Sequence, residues 1–166
     1  MLLIAERFRE LSFGKLMEVY RESNERNGEE WYPEETPERQ LALVEEGFCQ
    51  YLQKDFFSQP EVRYFIWTEN GKYVSALRLS PFLDGQLLEA LETNPQERRK
   101  GFGACLIRAL QETVPAGTRI YSHVSRKNIA SLGLHQSCGF RVVQETARYL
   151  DGTVSTRAQT LCWEKK

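Results

Sequence analysis

Arg98-Arg99-Lys100-Gly101-Phe102-Gly103 is the stretch on which the reading of this chain turns. Upstream, Gln86 to Thr93 reads as a short apolar strand, which Asn94-Pro95 stops. Downstream, Phe102, Leu106, Ala109 and Leu110 recur at helical spacing. Three cations and two glycines therefore lie where a loop becomes a helix N-terminus. Free N–H groups and the helix dipole attract anions at such a place. Glycine lets the backbone approach a ligand with no side chain in the way. The stretch is suited to a phosphate-bearing cofactor. It is neither of two common phosphate loops. The dinucleotide fingerprint needs a glycine where Leu106 stands, and the Walker loop needs Gly-Lys-Ser/Thr, whereas here Lys100 precedes Gly101. A solvated basic helix start is the plain alternative.

The spacing Arg98-x-x-Gly101-x-Gly103 resembles motif A of the general N-acetyltransferase (GNAT) superfamily, whose loop holds the pyrophosphate of acetyl-CoA. A second segment, Asn128 to Phe140, resembles the family's motif B. That motif has an Asn, a small residue three on, an apolar-aromatic pair six and seven on, and Gly-Phe eleven and twelve on. Here those places hold Asn128, Ser131, Leu134, His135, Gly139 and Phe140. Singly, Asn128 reads as an N-cap and Gly139 as a helix end. Jointly, at this distance from motif A, they are hard to obtain by chance. The resemblance covers roughly residues 60 to 164.

It implies a mixed α/β fold with a mostly antiparallel central sheet of about seven strands and helices on both faces. The strands before the two motifs would splay apart and admit acetyl-CoA. The pantetheine would pair with the backbone of Leu91, Glu92 and Thr93. The pyrophosphate would meet Arg98, Arg99, Lys100, Gly101, Phe102, Gly103 and Ala104. Asn128, Ser131 and His135 would face the cofactor from the motif B helix. The implied activity is acetyl transfer from acetyl-CoA to a primary amine of a small molecule or peptide by direct attack. The alternatives are a catalytically weak CoA-binding regulatory or interaction module of the same fold, and transfer of a longer acyl group or to an alcohol.

Composition agrees with a soluble globular chain. At 166 residues, one domain spanning residues 1–166 is expected. Lys+Arg 22 against Asp+Glu 23 leaves a net charge of -1, which argues against a general nucleic-acid binder. No apolar run approaches the ~20 residues of a membrane span. Met1-Leu-Leu-Ile-Ala-Glu-Arg is too short an apolar core for a signal peptide. Cys49, Cys105, Cys138 and Cys162 are scattered and only two His are present, so no metal site is expected. Isolated thiols fit a reducing cytoplasm. The sequence leaves a homodimer open.

Along the chain, residues 2–8 read as a strand and Ser12 to Arg26 as a helix, with Trp31-Tyr32-Pro33 as a break. A second helix starts at Thr36-Pro37 and ends before Pro60. Residues 62–68 and 73–79 flank Asn70-Gly71, a hairpin signal. Residues 86–93 form the next strand, the motif A helix ends by Pro115, and residues 119–124 form another strand. The motif B helix spans Asn128 to Cys138, and residues 140–150 and 153–163 read as a final hairpin around Asp151-Gly152.

Acetyl transfer needs a base for the amine and hydrogen-bond donors for the growing charge on oxygen. Glu89, Glu92 and His123 are the candidate bases. Glu89 sits among Leu87, Leu88, Ala90 and Leu91, and a regular strand puts it on the face opposite Glu92. His123 stands five residues before Asn128, where some relatives carry an acidic base. His135 stands where relatives most often carry a tyrosine near the CoA sulfur; imidazolium could protonate the leaving thiolate, or the ring could simply pack. Residues 25–46 hold eight Glu and two Arg, so an acidic rim could favour a cationic amine; an exposed helix face is the blander reading. Trp31, Tyr32 and Trp67 suit a pocket wall or the core equally.

Overall fold

Alternating apolar residues in the middle of the chain build a central sheet with two buried faces. The computed structural model describes residues 1–166. The strands are β1 (Leu2–Ala5), β2 (Arg63–Glu69), β3 (Lys72–Phe82), β4 (Gly85–Thr93), β5 (Arg119–Ser125), β6 (Arg141–Gln144), β7 (Ala147–Arg148), β8 (Val154–Ser155) and β9 (Ala158–Glu164). The helices are α1 (Phe13–Val19), α2 (Arg21–Trp31), α3 (Pro37–Tyr51), α4 (Phe102–Thr113) and α5 (Ile129–Ser137). Seven strands form one sheet in the order β1-β2-β3-β4-β5-β9-β6. Every pairing in it is antiparallel except β4 with β5. No helix is long and apolar enough to cross a membrane.

Strand alternation separates two cores. Phe65, Leu77, Leu79, Leu88, Ile120, Val124 and Leu161 face Leu106, Ile107 and Leu110 of α4, with Leu132 and Leu134 of α5 packed against them. Tyr64, Ile66, Tyr73 and Ala76 face the other way, against Leu16, Met17, Val19 and Tyr20 of the N-terminal helices. Thr36 caps α3 by accepting a hydrogen bond from the Arg39 N–H at 3.3 Å, with Pro37 in the first turn.

Four local readings need correction. The first strand stops at Ala5 and gives way to a 3-10 turn at Phe8–Glu10. The expected helix from Ser12 to Arg26 is two helices, because Tyr20 leaves helical geometry at ψ 8° while α2 runs on to Trp31. Tyr20 turns there to reach partners in the core, described below. The expected terminal hairpin forms, but each of its arms is interrupted. β6 pairs antiparallel with β9 through a register shift between Val142 and Gln144, and β9 lies between β5 and β6. Nearer the Asp151-Gly152 turn, β7 and β8 continue the pairing as a separate two-stranded ribbon. Finally, Glu89 and Glu92 share a face. Their partners on β3 are Arg78 and Ala76, two residues apart, so β4 carries one extra residue between them. This bulge centres on Ala90, whose φ is +51°.

Candidate active site

The parallel β4–β5 ladder joins only Gln86, Leu87 and Leu88 to Ile120, Tyr121 and Ser122. Beyond Leu88 the two strands part, and the β5-facing edge of β4 from the bulge to Thr93 is open. Unpaired backbone groups inside a fold are costly, so such an edge is a place for a ligand's amides. The bulge itself is held from the other face. Tyr20 Oη donates to the Ala90 carbonyl at 2.7 Å, and Tyr64 Oη donates to Tyr20 Oη at 2.8 Å. Both rings are buried, and burial raises both phenol pKa values, so the hydroxyls keep their protons.

The cationic loop sits at the end of this open edge. Gly101 is the N-cap of α4 with φ +83°, and no side chain caps the helix, so its first N–H groups face outward. Arg98, Arg99 and Lys100 are exposed around it. Arg98 pairs with Glu22 of α2 at 2.9 Å and Lys100 with Glu97 at 2.6 Å. Arg99 has no carboxylate partner and a φ of +64°. The residues present therefore suit a pyrophosphate: a bare helix start, an unobstructed backbone at Gly101 and a loose cluster of cations. Gly103 has a second role. A Cβ there would lie 3.0 Å from Leu134 Cδ2 and 3.5 Å from Thr93 Oγ1, so its small size lets α5 pack against α4 and β4. Ala104 packs against the α4 core, and Phe102 is half-buried.

On α5, Asn128 acts as the helix cap, its Oδ1 accepting from the Ser131 N–H at 3.1 Å. His135 is 1% exposed, with its ring edge-on to Phe140. His135 Nδ1 lies 2.8 Å from the Ser131 carbonyl oxygen and 3.3 Å from its hydroxyl. A carbonyl can only accept, so Nδ1 carries the proton. Burial lowers the ring's pKa, partly offset by that hydrogen bond, so the neutral ring has a bare Nε2, and that atom is buried without a partner. A neutral ring in this tautomer has no proton at Nε2 to give to a thiolate.

Across the sheet from the α4 side, three cavities lie against β4 and β5. One of about 510 Å³ is lined by Tyr20, Ser23, Trp31, Tyr32, Phe48, Tyr51, Arg78, Ala90 and Glu92. Glu92 is half-buried there, and desolvation raises its pKa although the Ser23 hydroxyl and the charges of Arg98 and Arg26 work against the shift. Glu89 lines a second space of about 290 Å³ with Ser80, Phe82 and Tyr149. His123 lines a third, of about 680 Å³, beneath the β7–β8 ribbon. Its ring packs edge-on to Phe82 and Tyr149, burial lowers its pKa, and Nε2 is buried without a partner. The three candidate bases thus share one side of the sheet but open into different spaces. Sequence reasoning missed Tyr20, Ser23 and Arg78. A lone arginine in the apolar run Tyr73 to Leu79 was the one available signal, because charges seldom occupy buried strands without a partner.

A split parallel pair, a bulged strand beside the split and an anion-ready helix start define a mixed α/β acetyltransferase fold. The model of the acetyltransferase (GNAT) family matches residues 15–140, and the chain belongs to that family. No curated protein sequence matches the chain. Among similar solved structures is the PaiA N-acetyltransferase from Thermoplasma acidophilum in complex with coenzyme A, 14% identical over 99% of both chains, with a TM-score of 0.65. An aminoglycoside 6'-acetyltransferase type Ii is 15% identical over 99% of this chain and 96% of its own, with a TM-score of 0.64. An aminoglycoside 6'-N-acetyltransferase complexed with coenzyme A is 16% identical over 98% and 96%, with a TM-score of 0.60. At these identities the likeness is one of fold.

Proposed function

We propose that this protein is an N-acetyltransferase, one catalytic domain over residues 1–166, that moves the acetyl group of acetyl-CoA to a primary amine of a small molecule or peptide. The observation that carries the reading is the position of the β4 bulge. One edge of β4 lies open beside the cationic helix start, and one face of the same segment lines the 510 Å³ cavity that holds Glu92. A thioester laid along the edge and an amine in the cavity would meet at Ala90–Leu91. Two proteins of similar fold carry coenzyme A, which supports the donor.

In this reading Arg98, Arg99, Lys100 and the N–H groups after Gly101 hold the pyrophosphate. The backbone of Leu91, Glu92 and Thr93 aligns the pantetheine, and an N–H on the open edge meets the thioester oxygen as its charge grows. Glu92 takes a proton from the bound ammonium, and the neutral amine then attacks the thioester carbonyl. The raised pKa of Glu92 makes it a stronger base than an ordinary carboxylate, and it lines the cavity with Ala90. The new C–N bond replaces the C–S bond, and the thiolate leaves to take a proton from water. Glu89 and His123 lie in the neighbouring spaces and shape the acceptor side. His135 anchors α5.

Release of CoA thiol from acetyl-CoA across a panel of amines tests the activity. Glu92→Gln should lower turnover about 10²-fold or more, the range for a lost general base. It should also flatten the acid limb of the rate profile, which in the native enzyme lies above the usual carboxylate range. A Glu92→Gln enzyme with native turnover and an unchanged acid limb would remove Glu92 from the mechanism.

A further inference from the structure

Arg78 is a cation that makes no salt bridge in the wall of the proposed acceptor cavity. It projects from the middle of β3 beneath α3, with Cζ 5.1 Å from the Tyr51 ring centroid, 5.7 Å from Phe56 and 5.9 Å from Phe48. Its Nε is buried with no hydrogen-bond partner, and the guanidinium joins no ion pair. Glu89 is its cross-strand neighbour but lines the adjacent space. The charge of Glu89 and the Tyr20, Tyr51 and Tyr64 phenols act on Arg78, and Glu92 lines the same cavity further along β4. Ring faces offset part of the cost of removing a guanidinium from water. They cannot accept its N–H groups in the plane, and a half-buried cation in an apolar wall is ordinarily paired. A planar fork of donors, fixed by three rings, matches a carboxylate.

The cavity therefore has two poles. Glu92, the one carboxylate that lines it, favours an ammonium, while Arg78 repels one. Arg78 and Ala76, the partner of Glu92, are two residues apart on β3, or about 7 Å at strand rise. We propose that the acceptor is a small amine that also carries a carboxylate, an amino acid or short ω-amino acid, and that Arg78 is the residue that selects it. The carboxylate docks on the Arg78 fork, and the amine lies towards Glu92 and the bulge. This rests on the acetyltransferase reading and narrows its substrate class.

Matched pairs that differ by one carboxylate test it: β-alanine against ethylamine, and 5-aminovalerate against butylamine. Wild type should favour the acid-bearing member of at least one pair by about 10- to 100-fold in kcat/KM, the worth of a charged hydrogen-bonded contact. Arg78→Met, which keeps most of the volume, should collapse that ratio mainly through KM. Arg78→Lys should recover only part of it, because a point charge lacks the fork. Calorimetric binding of the same acids in the presence of CoA needs no turnover. Binding that depends on Arg78 without thiol release would sink acetyl transfer but keep the Arg78 assignment. Equal use of both members of each pair by wild type, or an undiminished preference in Arg78→Met, would overturn the inference.

Discussion

Tyr20→Phe removes a single oxygen from the centre of the molecule, and the structure says what that oxygen does. It donates to the Ala90 carbonyl at 2.7 Å and accepts from Tyr64 at 2.8 Å. Tyr64 is fully buried, so its O–H would lose its partner away from water, a cost of about 1–3 kcal/mol. The Ala90 carbonyl borders the cavity and can turn to water, so losing that bond costs about 1 kcal/mol. Together Tyr20→Phe should destabilise by about 2–4 kcal/mol. Tyr64→Phe should cost only about 1 kcal/mol, since Tyr20 still has Ala90 to donate to.

The double variant separates this account from simple loss of packing. Removing Tyr64's hydroxyl also removes the orphan that Tyr20→Phe creates. The two changes should therefore cost less together than the sum of the singles, by about 1 kcal/mol or more. Urea denaturation of the four proteins measures the cycle. The same series should show Tyr20→Phe reducing turnover more than Tyr64→Phe, because only Tyr20 holds the bulge carbonyl. Strict additivity of the stabilities, or a Tyr20→Phe cost below about 0.5 kcal/mol, would refute the idea that this hydroxyl chain pins the bulge.

Arg99 sits at φ +64° with no ion pair, so Arg99→Gly should raise stability by up to about 1 kcal/mol while weakening acetyl-CoA binding through the lost charge; melting curves and calorimetry read the two effects separately. Burial depresses the pKa of His135 and of His123, so each folded ring refuses a proton that the unfolded chain takes up below pH ~6.5. Stability is thus complete above that pH and falls as pH drops towards the lower folded values. The slope is at most about 1.4 kcal/mol per pH unit for each ring, and His135→Gln should shrink it in melting curves recorded between neutral and mildly acidic pH.

The parts legible in the sequence are those governed by local rules. The basic glycine loop, the spacing of Phe102, Leu106 and Leu110, the Asn128 cap and the Asn70-Gly71 hairpin each declare themselves within a dozen residues, and a mostly antiparallel sheet of about seven strands follows once the family resemblance is drawn. The bulge does not declare itself. Nothing in Leu88-Glu89-Ala90-Leu91-Glu92 says that Ala90 will take a positive φ, because the reason lies 70 residues away in the Tyr20 hydroxyl. The same residue breaks the first helix, so two errors in the sequence reading, a continuous helix and carboxylates on opposite faces, have one tertiary cause. The consequence for chemistry is direct. With a regular β4, Glu92 would turn towards the α4 core and only Glu89 would face the α3 side. The bulge adds one residue and moves Glu92 into the same cavity as Arg78. The chain thus places a carboxylate and a cation on one wall by giving up one rung of the β3–β4 ladder, and Tyr20 is the tie that keeps that irregular segment in place. Where strand alternation and site chemistry disagree, as at Glu89 and Glu92, the side chains that reach across the fold decide.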